Sequence, residues 1–222
     1  IQNWLIGYID AHTGEVCLTE PIAITATSPV PNTDLNFVPM PLASPPPPPA
    51  TGTFATRYSG AQNAITESRN NQFFLEDRTR ANGIITRNRN NLNAADTTGV
   101  TPFADNNNNW TAAEWDNAAK DNAALDIHWA LQRVCDYYLN VHGRRGWDSL
   151  GQRTNAYVHA LILTRNGLTR DNAAYYPDDE YLAFGDGEST FKPLASVDIF
   201  AHEYAHGIND HTSGFNGDGI IR

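Results

Sequence analysis

The chain has 222 residues, 41% of them hydrophobic and 18% charged, with 15 Lys and Arg against 25 Asp and Glu for a formal charge of −10. That supplies enough apolar material for one large domain or two small ones, and the acidic balance argues against nucleic acid or an anionic membrane as partner. No apolar run reaches the roughly eighteen residues of a membrane span, and two cysteines, Cys17 and Cys135, are too few for a disulfide framework, leaving open one bridge or two buried thiols.

The chain opens at Ile1 with neither an initiator Met nor a signal peptide, which predicts a processed or truncated start. Residues 1–18 hold a strand-like run around Trp4, Ile6, Tyr8 and Ile9, a D-A-H-T-G turn and a second short strand, predicting a hairpin; His12 in that turn is given no role. Residues 19–50 carry most of the thirteen prolines and end in S-P-P-P-P-P-A, which favours polyproline II and reads as a linker. Residues 51–222 read as a domain. Between 51 and 110, short Thr, Tyr, Phe and Ile runs broken by Gly and Asn predict strands joined by irregular loops. A long helix is predicted near 111–142, with Ile127, Leu131, Val134, Tyr138 and Val141 as its apolar stripe and Gly143 as its stop. A-Y-V-H-A-L-I at 156–162 reads as a buried strand, and S-V-D-I-F-A-H-E-Y-A-H-G-I-N-D, with Val197, Ile199, Phe200, Ala201, Ala205 and Ile208, as a buried helix. Strands first and helices after them imply an α+β fold.

H-E-Y-A-H at 202–206 carries the chemistry. On a helix, His202 and His206 lie one turn apart on one face, so two imidazoles can reach one cation with Glu203 beside it. Zinc takes nitrogen ligands at about 2.0–2.1 Å, and a neighbouring carboxylate can accept a proton from water that attacks a carbonyl carbon. His211 follows His206 by five residues and is rotated about 140° from that face. His128, His142 and His159 read as core or surface residues.

Several collinear stretches carry a family resemblance: E-D-R-T-R-A-N-G-I-I-T, A-A-L-D-I-H-W-A-L-Q-R-V-C-D-Y-Y-L-N-V-H-G, D-N-A-A-Y-Y, F-G-D-G-E-S-T-F-K-P-L and V-D-I-F-A-H-E-Y-A-H-G-I-N-D. From about Thr53 to Ile221 the chain resembles the N-terminal half of the catalytic domain of thermolysin-family zinc endopeptidases, and W-L-I-G-Y-I-D-A-H-T-G-E-V at 4–16 resembles the close of that family's inhibitory pro-region. The resemblance implies a zincin-type lobe with a twisted, mostly antiparallel sheet, one long helix and the H-E-x-x-H helix at its lower edge, facing a second lobe with an apolar face left exposed.

It also implies roles. His202 and His206 match the zinc ligands, and Glu203 the residue that activates water. Asn172 and Ala173 fall where the family uses an edge strand to bind the substrate backbone. Phe191, Leu194 and Ile199 fall near the pocket for the side chain after the scissile bond, implying a preference for large apolar residues. Calcium is the second implied cofactor, at Asp198, whose alternative is a helix cap, and at Asp105, Asn107 and Asn109, whose alternative is a solvated loop. Asn109-Trp110-Thr111 is also a glycosylation sequon.

The third zinc ligand and the oxyanion-stabilising residues are expected beyond Arg222. The leading expectation is therefore a secreted zinc endopeptidase acting on peptide or protein substrates, represented here by its pro-region end and first lobe; partners would be the pro-region and a C-terminal lobe. The isolated chain is expected to bind zinc sub-stoichiometrically and hydrolyse little. The alternative is a non-catalytic lobe serving as a binding or folding module.

Overall fold

The computed structural model describes residues 5–9, 16–21, 49–95 and 98–213, and the chain divides into two units, Ile1–Ser44 and Pro45–Arg222. In the first unit, β1 (Leu5–Ile9) pairs antiparallel with β2 (Val16–Pro21), with a bulge at Tyr8/Ile9. The second strand runs three residues past the boundary at 18. The turn carrying His12 and residues 22–48 of the predicted linker lie outside the described residues.

The second unit begins with β3 (Ala50–Ala55), β4 (Ala61–Arg69), β5 (Gln72–Phe74), β6 (Glu76–Asp77), β7 (Ile84–Asn88), β8 (Thr101–Pro102), β9 (Ala104–Asp105) and β10 (Asn109–Trp110). Helices α1 (Ala112–Trp115) and α2 (Asn122–His142) follow, then β11 (Thr154–Val158), β12 (Ile162–Thr164), β13 (Gly167–Thr169), β14 (Ala173–Tyr176), β15 (Tyr181–Phe184) and helix α3 (Val197–Asp210). A five-stranded sheet has the order β10-β3-β4-β5-β9, a six-stranded sheet the order β14-β15-β11-β7-β6 with β8 also paired to β7, and β12 and β13 form a separate hairpin. Most pairings are antiparallel; β11 runs parallel to both of its neighbours and β10 parallel to β3. The fold is α+β.

Side-chain alternation explains how the sheets meet the core. Thr154, Ala156 and Val158 of β11 are buried while Asn155 and Tyr157 are partly exposed, whereas all four residues of β15, Y-L-A-F, are buried because both faces of that strand are covered. Leu75, Ile84, Leu125, Ile127, Leu131, Trp147, Phe184, Phe200 and Tyr204 form one core in which α2 and α3 pack together. Gly143 ends α2 at φ +63, where its N–H reaches Leu139 O and that of Arg144 reaches Tyr138 O, a left-handed cap that favours glycine.

Three predicted features are corrected. The helix near 111–142 is two helices. Asn117 and Asp116 bond to Asp121 and Asn122 through their side chains (2.8 and 3.0 Å), Lys120 takes φ +66, and the backbone between Trp115 and Asn122 leaves the helix. Asn and Asp offer the chain such local alternatives to helical bonds. The apolar stripe of α2 runs past its support: Ile127, Leu131 and Val134 are buried, but Val141 is 60% exposed. The strand predicted over 156–162 stops at Val158, because His159 adopts φ +57 and turns the chain towards β12.

Candidate metal centre

Helix α3 starts after Ser196, which is extended (φ −69, ψ 155). Its inward side is Phe200, Glu203, Tyr204 and Gly207, all buried. Phe200 stacks on Phe184, and Tyr204 lies against Trp147 and Tyr138. Gly207 permits the close approach: a Cβ there would sit 2.9 Å from Trp147 Cε3. With the inner face locked, the outer face is fixed by the helix period. It presents Val197, Asp198, His202, Ala205 and His206 to solvent, so Val197 and Ala205 are not buried and the exposed face is mainly polar rather than the apolar one expected.

His202 and His206 converge. Their rings lie 4.8 Å apart at 86°, with the two Nε2 atoms 3.2 Å apart. Two nitrogens at about 2.0–2.1 Å from a tetrahedral cation stand roughly 3.3 Å from each other, so the pair fits a zinc-sized ion with little adjustment. Glu203, 8% exposed, follows His202 on the inner side, where its Oε2 accepts the backbone N–H of Tyr175 at 3.1 Å. Burial raises its pKa, and the facing histidines oppose that shift.

Tyr175 belongs to β14, the edge strand of the six-stranded sheet. Asn172 O accepts the N–H of Gly185 at 3.0 Å, so this carbonyl points into the fold. Backbone groups alternate sides along a strand, so the polar groups of Ala173 and Tyr175 face outward, towards α3. Sequence reasoning missed Tyr175 because a backbone amide leaves no signature in residue type.

The other predicted residues are more dispersed. Leu194 is buried, Ile199 packs half-buried against the core, and Phe191 is 54% exposed on the loop before α3. Hydrogen bonding from Ser196 and the first-turn amides holds the exposed Asp198 carboxyl below the usual range, an arrangement suited to a helix start. In the 105–109 loop, Asp105 Oδ2 accepts Asn107 N–H (2.9 Å), Asn107 Oδ1 accepts Asn109 N–H (2.8 Å), and Asn109 Oδ1 accepts the Thr53 hydroxyl (2.5 Å). These oxygens brace the loop itself, and no cluster of three His, Cys, Asp or Glu suited to a metal occurs among the described residues.

Three further histidines lie in other surroundings. His211 Nε2 lies 3.0 Å from Glu180 Oε1. His159 bridges Asp121 (3.0 Å) and Asp186 (2.6 Å); burial alone would lower its pKa, but the two carboxylates raise it to about 9. Burial lowers that of His128 to about 4. Cys135 is a buried free thiol, and burial pushes its pKa up to about 11.

A helix carrying two convergent imidazoles and a buried carboxylate thus lies along the edge strand of an α+β lobe. Residues 51–210 match the model of the thermolysin metallopeptidase catalytic domain, and the chain belongs to that family. It is 33% identical over 151 residues to bacillolysin of Brevibacillus brevis, covering 67% of this chain and 25% of that protein. Neutral protease B of Bacillus subtilis (strain 168) is 34% identical over 155 residues, covering 68% and 26%. The chain thus spans about a quarter of the length of these relatives. The solved precursor of protealysin, a metalloproteinase from Serratia proteamaculans, superposes with a TM-score of 0.44 at 19% identity over 60% of this chain and 36% of that one, too slight a likeness to bear on the fold. No helix among the described residues is long and apolar enough to cross a membrane.

Proposed function

We propose that the chain contributes the zinc-binding lobe of an exported endopeptidase that cleaves before large apolar residues. The observation that carries this reading is the 3.2 Å approach of the His202 and His206 Nε2 atoms beside buried Glu203. Zinc held by the two imidazoles would supply Lewis acidity towards a peptide carbonyl and towards water. The outward edge of β14 binds an extended substrate backbone near Ala173. Glu203, oriented by the Tyr175 N–H, takes a proton from water as its oxygen bonds to the carbonyl carbon, and passes it to the amine nitrogen as the C–N bond breaks. Phe191, Leu194 and Ile199 receive the side chain that follows the scissile bond. Residues 1–18 serve as the end of a pro-region and 19–50 as its linker. Calcium at Asp198 would need carboxylates from a further lobe, and a calcium ion at 105–109 would compete with the loop's own amides.

Glu203→Gln tests the reading in the complete gene product. The expected result is a loss of casein hydrolysis on the order of 10²-fold or more, with zinc content by metal analysis unchanged. Stoichiometric zinc in a wild type that hydrolyses nothing would instead favour a non-catalytic binding lobe.

A further inference from the structure

One carboxylate outside the metal centre collects an unusual set of donors. Asp171, two residues before β14, accepts the backbone N–H groups of Glu188 (2.7 Å), Ser189 (3.1 Å), Thr190 (3.0 Å) and Phe191 (3.1 Å), and the Ser189 hydroxyl at 2.9 Å. The grip is returned: Glu188 Oε1 accepts the N–H of Arg170 at 3.0 Å and the Thr169 hydroxyl at 3.1 Å. From the opposite side, His159 holds Asp186, and the N–H groups of Gly185 and Gly187 bond to the carbonyls of Asn172 and Arg170. Segments 169–172 and 185–191 are therefore clasped in both directions.

The clasp buries no apolar surface of its own, since residues 188–192 are exposed. A loop that only had to connect β15 to α3 would need few of these bonds. What they hold still is Phe191, an aromatic ring 54% exposed on a turn whose last clasped amide is its own. At the other end of the clasp, one residue separates Asp171 from Ala173 and the open edge of β14. Asp171 thus ties a surface aromatic to the strand edge that runs beside Glu203.

We propose that Asp171 is a positioning residue for substrate selection: by clasping the 188–191 turn it fixes the Phe191 ring relative to the β14 edge, and so sets the preference for a large apolar side chain. This deepens the endopeptidase reading and rests on it. Ordering an aromatic wall in advance spares the substrate the entropic cost of arranging it, so loss of the clasp should weaken recognition of the large side chain more than turnover.

The test compares hydrolysis of furylacryloyl-Gly-Leu-amide and furylacryloyl-Gly-Ala-amide by the complete, zinc-loaded gene product, as wild type, Asp171→Ala and Asp171→Asn. Glu76→Gln, which breaks a remote ion-pair cluster, controls for lost stability. In Asp171→Ala the Leu-to-Ala ratio of kcat/KM should fall by about fivefold or more, through a higher KM for the Leu peptide, while kcat for the Ala peptide persists. Asp171→Asn, which keeps an acceptor oxygen, should restore part of the ratio, and Glu76→Gln should leave it unchanged. Amide exchange at 188–191 should accelerate in Asp171→Ala. An unchanged ratio, or an equal fall on both peptides, overturns the proposal while leaving the endopeptidase reading standing. A wild type that cleaves neither peptide overturns both.

Discussion

Helices α2 and α3 each carry a histidine whose Nε2 lies 3.2 Å from a side-chain nitrogen one turn further on, and the two pairs have opposite fates. In α2, His128 Nε2 also donates to Ile65 O at 2.9 Å, while Gln132 bonds both polar groups of the Ile65 backbone and the Thr86 hydroxyl reaches His128 Nδ1. Both residues are fully buried, and every nitrogen of the ring is spoken for. In α3, His202 and His206 stand on the exposed face, and the partner of each Nε2 atom is the other ring. A one-turn pair of nitrogens is therefore not a metal motif in itself. What separates the two pairs is whether the ring nitrogens are already committed to groups on neighbouring strands.

The sharpest way to break this comparison is to remove one member of each pair. His206→Ala should lower zinc occupancy and hydrolysis by on the order of 10²-fold or more while changing zinc-free stability by less than about 0.5 kcal/mol, because an exposed side chain is lost. Metal analysis and a denaturant titration on the same preparation read both quantities. A destabilised, zinc-replete variant would erase the distinction.

His128→Ala should do the reverse. It opens a cavity in the core and leaves the buried Thr86 hydroxyl without its ring partner, costing about 3–4 kcal/mol. The expected readout is a lower urea midpoint with zinc stoichiometry retained in the folded fraction.

A smaller effect sharpens the comparison through pH. His128 has its folded-state pKa depressed to about 4 by burial, below the unfolded value near 6.5. Its contribution is complete above about 6.5 and is lost as pH falls towards 4, because only the unfolded chain gains the proton in that window. His159 behaves oppositely: raised to about 9, it contributes fully below about 6.5 and loses that contribution as pH rises through 9. Each limb should amount to about 3 kcal/mol. Urea midpoints from pH 4 to 10 should show His159→Gln flattening the alkaline limb alone; a flattened acid limb would contradict the assignment.

The features legible in the sequence were those generated by local periodicity. The four-residue spacing of His202 and His206 put both on one face of α3, where the structure has them together, but the apolar set read for that helix included Val197 and Ala205, which lie exposed on that same outer side. The break before α2 was passed over although W-D-N-A-A-K-D-N is half Asn and Asp, and part of its cause lies far along the chain: Asp121 is engaged by His159, 38 residues later. The same long-range pull escaped the reading of 156–162 as one strand. Buried polar residues on α2 were equally hidden, since Asp126 gains its place from the amides of Arg57, Tyr58 and Ser59 and from the Ser59 hydroxyl, far along the chain. The Asp171 clasp joins two polar loops whose composition predicts only turns.

The bond from Tyr175 N–H to Glu203 also bears on how the molecule behaves in a crowd. An open strand edge is an invitation to polymerise, since another copy can add its own strand and propagate a fibril. On β14 the outward donors alternate, so Glu203 occupies one of the few positions such an intruder would need. The four-residue length of the strand leaves too short a run beyond that plug for a second copy to grip. The carboxylate that sits beside the histidine pair thus also occupies one donor of the strand edge, leaving one fewer open to another chain.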